Sequence, residues 1–446
     1  MTHYIIEKVK IVNVEDGSIK RGAIEIKDGF VEKVHESEID TPLEVRKING
    51  AGAYAIPGLI DMHCHIKEGT APLFVASGVT TVRNTAGNVL FLEDLIKAEG
   101  DAPTPRIYTA DRMIDGPPGL WGPNSFGNFV TEDPEAARRE VRRQAEAGAN
   151  FIKLYGWVSR EVLEAVVEEA KKFNLEVSSD LLHSEEVNAI EAAELGVTWF
   201  EHAAGFAQAV YPNWHMKAPE EVWAAIDWEN PDEAQIARIC KQMIEHGAKI
   251  CPTIVTFDQI DLLPNYWNPN NSVTSFFTKE TSFGALWSDL EKHEEALKSQ
   301  LGFYTTFIKK LARTYHELGG TVVAGTDSPA GVWTYFGMAL HRELEIFTEI
   351  GFSNLEALQA ATIRAAESIG LEKVGSLKES NYADIVLLQE NPLEDISNTQ
   401  KINCVIKGGR IYNREELMEA IMTEEEERKR LEAFDKLFTE IVGEGN

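Results

Sequence analysis

The sequence predicts an α/β protein, a (β/α)8 TIM barrel with a small β-sandwich domain formed from both chain ends. In the middle of the chain, eight short apolar segments alternate with helical patterns over about 310 residues, which is typical of parallel strands joined by helices. At both ends, short apolar runs are separated by turn signals, which indicates antiparallel strands. Because chain termini often lie close together, the two end segments are expected to form one domain.

Turn signals support the assignment of antiparallel strands to the end segments. Glu15-Asp16-Gly17 and Lys27-Asp28-Gly29 separate the apolar runs of the first 56 residues. The same pattern of short apolar runs recurs at 383–388 and 405–412. The predicted domains are residues 1–56 (N-terminal half of the β-sandwich), 57–370 (barrel), 371–413 (C-terminal half of the β-sandwich) and 414–446 (C-terminal helical tail).

The barrel strands are assigned from apolar segments bounded by helical patterns. The candidate strands are 55–62, 79–84, 106–111, 150–155, 176–180, 198–202, 249–255 and 321–326. An open doubly wound sheet is the alternative. It is weakened because no glycine-rich dinucleotide turn follows the first strand.

The tail carries an apolar stripe at helical spacing. Leu431, Phe434, Phe438 and Ile441 follow one another at intervals of three, four and three residues. Such a stripe indicates a helix that packs on its own body or, alternatively, a homo-oligomer contact.

Charge and cysteine content restrict the partners. The 446 residues include 43 Lys and Arg against 72 Asp and Glu, a formal charge of −29. This charge excludes non-specific nucleic-acid binding and argues against docking on anionic membranes. No secretory signal or membrane span is recognised. The four cysteines lie far apart without a CxxC pair, so a cytoplasmic protein with reduced thiols is expected.

Polar side chains occur where several barrel strands end. They are His63, His65, Lys153, His202 and Asp327. Because these strand ends meet at one barrel mouth, imidazole and carboxylate groups there indicate a metal site. Side chains two residues apart on a strand share a face, so His63 and His65 can hold one ion while Cys64 points away.

These residues lie in longer motifs. The motifs are IPGLIDMHCH, GANFIKLYG, WFEHAAG, AGTDSP and NYADIVLLQENPLEDI. From about residue 5 to 412 the chain resembles the amidohydrolase superfamily, in particular its imidazolonepropionase-like and Xaa-Pro-dipeptidase-like members. The resemblance implies a binuclear metal-dependent hydrolase with two divalent metal ions, zinc being the default for histidine-rich sites.

The resemblance also implies roles for the ligands. His63 and His65 match the ligands of the more buried metal, and His202 matches a ligand of the outer metal. Lys153 matches a lysine that reacts with carbon dioxide, so a carboxylated Lys153 would bridge both ions. Asp327 matches an aspartate that binds the buried metal and takes the proton from a metal-bridging hydroxide or water before passing it to the leaving group.

The fifth strand departs from the family pattern. Relatives carry a histidine ligand there, whereas ungapped counting from Val177 places Asp180 at that position and His183 three residues later. Asp180 could bind the outer metal itself, His183 could curl back to do so, or the outer site could be damaged, naturally or by a deliberate change. An ionised Asp180 would lower the net charge of the loaded site and weaken it as a Lewis acid.

Three further residues are candidates for the substrate pocket. Trp121 lies in a Gly/Pro-rich loop after the third strand, which would either wall the pocket or be a rigid surface loop. Tyr155 shares the inward face of Lys153 and would line the barrel or hydrogen-bond an oxyanion. His341 begins a helix after the eighth strand. The aromatic segment 256–285 is expected to be a long loop acting as a lid.

The function that follows is hydrolysis of an amide or peptide-type C–N bond in a small-molecule substrate. Hydrolysis of a lactone, ester or organophosphate on the same site is the alternative. An alternative of another class is a catalytically weakened barrel that acts as a binding protein, because Asp180 replaces a histidine.

Overall fold

The computed structural model describes residues 2–37 and 45–443, with side chains described as far as residue 440. The strands are β1 (His3–Val12), β2 (Ile19–Lys27), β3 (Phe30–His35), β4 (Arg46–Asn49), β5 (Tyr54–Pro57), β6 (Leu59–Cys64), β7 (Val79–Asn84), β8 (Arg106–Thr109), β9 (Met113–Asp115), β10 (Asn128–Val130), β11 (Phe151–Leu154), β12 (Glu176–Ser179), β13 (Trp199–Glu201), β14 (Lys249–Cys251), β15 (Thr321–Val322), β16 (Ile385–Leu388), β17 (Ile402–Lys407) and β18 (Arg410–Tyr412). The helices are α1 (Ala71–Ala76), α2 (Glu93–Ile96), α3 (Pro134–Ala147), α4 (Arg160–Lys172), α5 (Ala189–Leu195), α6 (Phe206–Val210), α7 (Glu220–Ala224), α8 (Glu233–Glu245), α9 (Ile254–Leu262), α10 (Ser272–Phe276), α11 (Ser282–Leu290), α12 (Glu294–Leu297), α13 (Phe303–Glu317), α14 (Ala339–Glu349), α15 (Asn354–Ala360), α16 (Ile363–Ser368), α17 (Arg414–Glu419) and α18 (Glu424–Gly443).

Parallel strands run in sequence order around the centre of the molecule. One sheet contains β6, β7 and β8, and a second contains β11 to β15 with β9 and β10 at its edge. The Asn150 N–H donates to the Thr109 carbonyl at 2.8 Å, which joins the two sheets on one side. The Met62 N–H donates to the Ala324 carbonyl at 2.9 Å, which joins the segment after β15 to β6 on the other. This order is consistent with the TIM barrel that the sequence predicts.

The first predicted strand, 55–62, is two strands in the structure. β5 pairs with β1 and β16, whereas β6 pairs with β7 in the barrel. Gly58 lies at the break, where an added Cβ would sit 2.0 Å from Oγ1 of Thr80. The close approach of the two chain segments therefore requires glycine at the point where the chain changes sheets.

Strands from both chain ends form one eight-stranded sheet. Its order is β18, β17, β16, β5, β1, β2 and β3, and β4 pairs with β1. Ile6, Ile24, Ile385 and Ile406 are fully buried in a cluster between these strands. The two end segments therefore share a core, as the sequence predicts, while the packing of this sheet as a sandwich stays a prediction.

The segment after β14 differs from the predicted long loop 256–285. Helices α9, α10 and the first turn of α11 occupy it, and the side chains of Asn271 and Thr281 cap α10 and α11. A capped helix can be short and still satisfy its backbone N–H groups, which the aromatic composition of the segment does not indicate. The expectation of one long loop is therefore wrong, and the role of this segment as a lid stays a prediction.

The tail helix α18 packs on its own chain. The Phe434 ring lies 5.0 Å from that of Phe91 and 5.6 Å from that of Phe126. Arg430 forms ion pairs with Glu68 at 2.7 Å and Asp94 at 2.6 Å. These contacts place α18 beside the loops that follow β6, β7 and β9. Ile441 of the predicted stripe lies outside the described side chains, and the homo-oligomer alternative stays a prediction.

Within residues 2–37 and 45–443, no helix has both the length and the apolar character needed to cross a membrane.

Candidate metal centre

The barrel brings the predicted ligands together at the carboxyl ends of its strands. His63 lies in β6 and Lys153 in β11, whereas Asp180, His202 and Asp327 follow β12, β13 and β15. His65 follows the end of β6. Residues separated by as many as 264 positions in sequence therefore share one mouth, because parallel strands of a barrel end on the same side.

Three of these side chains form a compact ligand group. His63, His202 and Asp327 each place one ligand atom within 4.8 Å of the others. Asp327 Oδ1 lies 3.1 Å from His63 Nε2 and 2.9 Å from His65 Nε2. All are buried except His65, whose side chain is 31% exposed. Imidazole nitrogen and carboxylate oxygen are ligands that suit zinc and related ions, so the donor set fits a divalent metal.

Glu201 orients His63. Its Oε2 accepts a hydrogen bond from His63 Nδ1 at 2.7 Å, and its Oε1 accepts from Arg83 at 2.8 Å and from the Ser178 hydroxyl at 2.6 Å. Burial acts to raise the pKa of this carboxyl, but the charges of Arg83, His63 and Lys153 hold it well below its usual range. An ionised Glu201 keeps the proton on Nδ1, which leaves Nε2 free to bind a metal.

Asp61 links β6, which carries His63, to the segment after β15 that carries Asp327. Its Oδ1 accepts the backbone N–H groups of His63 and Thr326, each at 3.1 Å, and its Oδ2 accepts the Thr326 hydroxyl at 2.7 Å. Burial raises the pKa of Asp61 to about 7. The barrel closure at β6 is thereby fixed directly beneath the ligand group.

Two ligands have unusual backbone conformations. His202 and Asp327 have φ values of +58° and +55°, in the left-handed region that residues other than glycine rarely adopt. The Tyr304 hydroxyl donates to the carbonyls of His202 at 3.1 Å and Ala203 at 2.9 Å, which stabilises one of these conformations. Such strain is concentrated at functional sites because the surrounding structure must maintain it.

A short chain of contacts positions His202. Its Nδ1 lies 2.5 Å from Oγ1 of Thr253, the residue before α9. Because that hydroxyl is used by the histidine, it does not cap the helix. Glu343 of α14 instead accepts the N–H groups of Ile254 at 3.0 Å and Val255 at 2.7 Å. Burial raises the pKa of Glu343 to about 8.

Asp327 is held as a carboxylate by its neighbours. Burial acts to raise its pKa, but the His202 charge and the hydrogen bonds of His63 and His65 place the pKa well below its ordinary value. The group can therefore bind a cation or accept a proton at neutral pH.

Lys153 has an unsatisfied amine. Its side chain is buried, and Nζ has no hydrogen-bond partner among the residues that the structure describes. Burial lowers the pKa of this amine. A buried donor without a partner is costly, so this atom fits a group that would acquire a partner when the site is loaded.

Asp180 lies beside His202. Its Oδ2 is 3.5 Å from His202 Nε2, and its Oδ1 accepts the Leu182 N–H at 3.1 Å. His183 instead lies against Gly156 and Trp157, its ring 6.2 Å from that of Trp157. Of the two predicted candidates for the outer site, the structure brings Asp180 to the ligand group.

The first two predicted pocket residues lie together at the barrel mouth. Trp121 is 61% exposed, with its ring 6.4 Å from that of Tyr155. Asp115 holds this loop through the N–H groups of Leu120 and Trp157 at 2.8 and 2.9 Å. Burial and the charge of Asp180 raise the pKa of the Tyr155 hydroxyl well above its ordinary value. Tyr155 therefore remains a neutral donor near the ligand group.

His341 does not reach the site. Its ring is fully buried, with Nδ1 2.9 Å from the Thr399 hydroxyl and Nε2 2.9 Å from the Ser77 carbonyl. A ring whose two nitrogens both have internal partners lines no open pocket, so its assignment to the substrate pocket is wrong.

Several supporting residues receive no role from the sequence alone. Glu201 and Asp61 adjoin predicted ligands along the chain, so their position is a usable signal. Thr253 lies in the candidate strand 249–255 and Glu343 lies in α14. Only the folded chain connects them to His202, Thr253 by direct contact and Glu343 through the first residues of α9.

The fold is shared with metal-site hydrolases and the donor set fits a divalent ion, and sequence comparison gives the family. The model of the amidohydrolase family matches residues 54–412, and the chain belongs to this family. The chain is 27% identical to ochratoxinase of Aspergillus niger over 330 residues, which is 70% of this chain and 55% of the relative. It thus spans about half the length of that relative. A shorter match, 42% identity over 78 residues, is to imidazolonepropionase of Symbiobacterium thermophilum and covers 17% of this chain and 18% of the relative.

Solved structures share the fold. A Xaa-Pro dipeptidase with methionine in its active site superimposes with a TM-score of 0.65 and 21% identity, covering 92% of this chain and 100% of the dipeptidase chain. The Aspergillus niger ochratoxinase structure gives a TM-score of 0.64 at 22% identity, covering 92% of this chain and 96% of the relative. The resemblance to imidazolonepropionase-like and prolidase-like amidohydrolases is therefore confirmed.

Proposed function

We propose that this protein is a binuclear metal-dependent hydrolase that cleaves an amide or peptide-type C–N bond of a small-molecule substrate. One observation carries the proposal: His63, His202 and Asp327 converge with their ligand atoms within 4.8 Å of one another. Family membership supports it, since amidohydrolases are typically metal-dependent.

The chain offers ligands for two divalent ions, with zinc as the default. His63, His65 and Asp327 would hold the more buried ion, and His202 with Asp180 would hold the outer one. Lys153, as a neutral amine, would add carbon dioxide at Nζ and release one proton, and the resulting carbamate would be a further ligand; its unpartnered Nζ supports this assignment. When bound, the ions would polarise the scissile carbonyl and lower the pKa of water toward neutral pH.

The residues of the chain then have distinct tasks. Asp327, an ionised carboxylate, accepts a proton at Oδ1 or Oδ2 and returns it to the leaving nitrogen. Tyr155, kept neutral by its raised pKa, donates its hydroxyl hydrogen to the oxygen that becomes negative. Glu201 holds the His63 ring and needs no contact with substrate.

The relatives favour a C–N bond over an ester. The Xaa-Pro dipeptidase is by name a peptide-bond hydrolase, although its identity to this chain is low. Lactone, ester or organophosphate hydrolysis is the second candidate, because the same group of residues could act on any polarised C=O or P=O bond.

An activity screen of metal-replete protein tests the function. N-acyl amino acids, dipeptides and aryl amides should be hydrolysed, and lactones and phosphotriesters should be hydrolysed more slowly. Asp327→Asn should reduce kcat by about 10³-fold or more, as expected for loss of a general base with an isosteric side chain. Asp435→Asn on the tail is the matched control and should retain activity. Hydrolysis of esters alone would favour the second candidate.

Metal analysis tests the alternative of a binding protein. Two ions per chain after reconstitution support the hydrolase, whereas no bound ion supports a barrel that has lost its chemistry. Restoration of activity by bicarbonate in protein stripped of carbon dioxide would support the carbamate, and Lys153→Met should remove that response.

A further inference from the structure

Arg83 is a charged side chain in the interior of the barrel. It lies in β7 and is fully buried. Its guanidinium carbon lies 4.2 Å from the centre of the Phe151 ring and 4.4 Å from that of the Trp199 ring. An arginine is rarely fully buried unless it is paired, and aromatic ring faces attract a cation most strongly where water is excluded. The two rings therefore hold the guanidinium at a defined place in the core.

Other residues fix both rings. The Phe151 ring stacks on that of Tyr108, with the ring centres 5.7 Å apart and the planes within 9° of parallel. The Trp199 indole N–H donates to Oε2 of Glu176 at 2.8 Å. The position of the guanidinium is therefore determined by rings that cannot turn freely.

The two rings lie one layer below the ligand group. Phe151 precedes Lys153 by two residues on β11, and Trp199 precedes Glu201 by two residues on β13. Side chains two residues apart on a strand share a face. Arg83 therefore lies in the layer of the barrel interior beneath the residues at the mouth.

One nitrogen of Arg83 contacts the chain on both sides of His63. Nη1 donates to the Met62 carbonyl at 3.1 Å and to Oε1 of Glu201 at 2.8 Å. Met62 is the residue before His63, and Oε2 of Glu201 accepts from His63 Nδ1 at 2.7 Å. Nε and Nη2 of Arg83 have no hydrogen-bond partner among the residues that the structure describes. Nη1 thus links the backbone before His63 to the carboxylate that holds its ring.

We propose that Arg83 is a positioning residue for metal binding, which acts through Glu201 to aim Nε2 of His63 at the more buried ion. Without Arg83, Oε1 of Glu201 would keep the Ser178 hydroxyl at 2.6 Å as its partner, and the carboxylate could rotate away from His63. Partners of metal-bound histidines typically change metal affinity by about 10- to 100-fold. This inference rests on the proposed function and deepens it.

Competition between the full chain and a chelator for zinc tests the proposal. Arg83→Met replaces the guanidinium by an apolar side chain and should lower the affinity for the tighter zinc by about 10- to 100-fold. Arg112→Met is the matched control, because Arg112 is also buried, pairs with Glu140 at 2.7 Å and lies 4.8 Å from the centre of the Phe129 ring. It should lower the Tm and leave the zinc affinity unchanged.

A double variant separates action through Glu201 from a direct effect of Arg83. Glu201→Gln should lower the zinc affinity, because the amide nitrogen is a donor and must face one of the two donors, Arg83 or His63. In Arg83→Met/Glu201→Gln the amide oxygen is free to accept from His63, so the double variant should bind zinc no more weakly than Glu201→Gln. Removing both members of a buried pair leaves no unpaired charge, so this comparison also serves if Arg83→Met alone does not fold.

Two results would overturn the positioning role. One is a zinc affinity of Arg83→Met equal to that of the wild type, which would make Arg83 a structural contact. The other is a double variant that binds zinc more weakly than Glu201→Gln, which would show that Arg83 acts by another route. A wild type that binds zinc but cleaves no amide would count against the proposed function alone, because the zinc affinities report on Arg83 without hydrolysis.

Discussion

Asp180 is the residue at which we expect this chain to depart from the histidine that the family resemblance implies. The resemblance alone leaves Asp180 and His183 as competing ligands, because a count along the sequence does not show where a strand ends. The structure places Oδ2 of Asp180 3.5 Å from His202 Nε2 and turns His183 toward Trp157. The charge of this carboxylate therefore lies in the ligand group.

Replacing Asp180 tests its contribution. Asp180→His removes one negative charge and restores a neutral ligand, so metal content or activity should rise. Mass spectrometry measures the metal content per chain, and kcat/KM on the best amide substrate measures the activity. Asp180→Ala is the comparison and should lose the outer ion. No change in either quantity for Asp180→His would exclude a damaged outer site.

Thr253 acts on the site through His202. Its hydroxyl lies 2.5 Å from His202 Nδ1, and Glu343 takes over the capping of α9 that this hydroxyl would otherwise perform. Neither residue can be predicted from the sequence, because their connection to His202 spans 51 and more positions and depends on how three elements pack.

Removing the Thr253 hydroxyl should weaken binding of the proposed outer metal ion. Thr253→Val keeps the shape and the β-branch of the side chain, so the strain of the left-handed backbone is unchanged. Its affinity for the outer ion should fall about 10- to 100-fold, as for other partners of metal-bound histidines. Thr253→Ser retains the hydroxyl and should bind like the wild type. Competition with a chelator measures the affinity, and equal values for Val and Ser would contradict the prediction.

At the scale of elements, α18 is the longer of the two described helices, α17 and α18, that follow the family match. The match ends at residue 412, whereas α18 runs from Glu424 to Gly443 and lies beside three loops of the barrel mouth. The sequence predicts the helix and its apolar stripe from spacing. It leaves open what the stripe contacts, because spacing defines a face and not its partner.

Phe434 anchors α18, so its loss should release the helix without unfolding the barrel. Phe434→Ala removes ring contacts with Phe91 and Phe126, and amide hydrogens of 424–443 should exchange faster by about 10-fold or more. Hydrogen exchange by mass spectrometry measures this, with α3 as the internal reference. Leu437→Ala, on a side chain 50% exposed, is the control. Unchanged exchange in Phe434→Ala would contradict the anchoring role.

At the scale of the whole molecule, the charge of −29 is distributed over the surface. With the two proposed ions bound, the ligand positions would be nearly neutral, so most of the acidic excess lies elsewhere, for example at Glu424–Glu427. Many acidic groups are already paired, as Glu140 is with Arg112 and Arg143. The remaining unpaired carboxylates repel one another across the folded surface.

Screening this repulsion should stabilise the protein. Raising NaCl from about 10 to about 200 mM shortens the Debye length from about 30 Å to less than about 10 Å, so the Tm should rise by a few degrees. Calorimetry of the metal-free protein measures the Tm. A series in KCl is the control for specific sodium binding. A lower Tm in salt would show that attractive surface pairs outweigh the repulsion.

The sequence by itself determined most of the barrel strands and helices, the polar residues at four barrel strand ends and the family, because these follow from local periodicity and from motifs contiguous in the chain. It did not determine where the first strand changes sheets, which residue accompanies His202, or that His341 is an interior residue. Only the tertiary structure decided these points. Each depends on distances between segments far apart in sequence, and such distances are set by packing and not by the residues on either side.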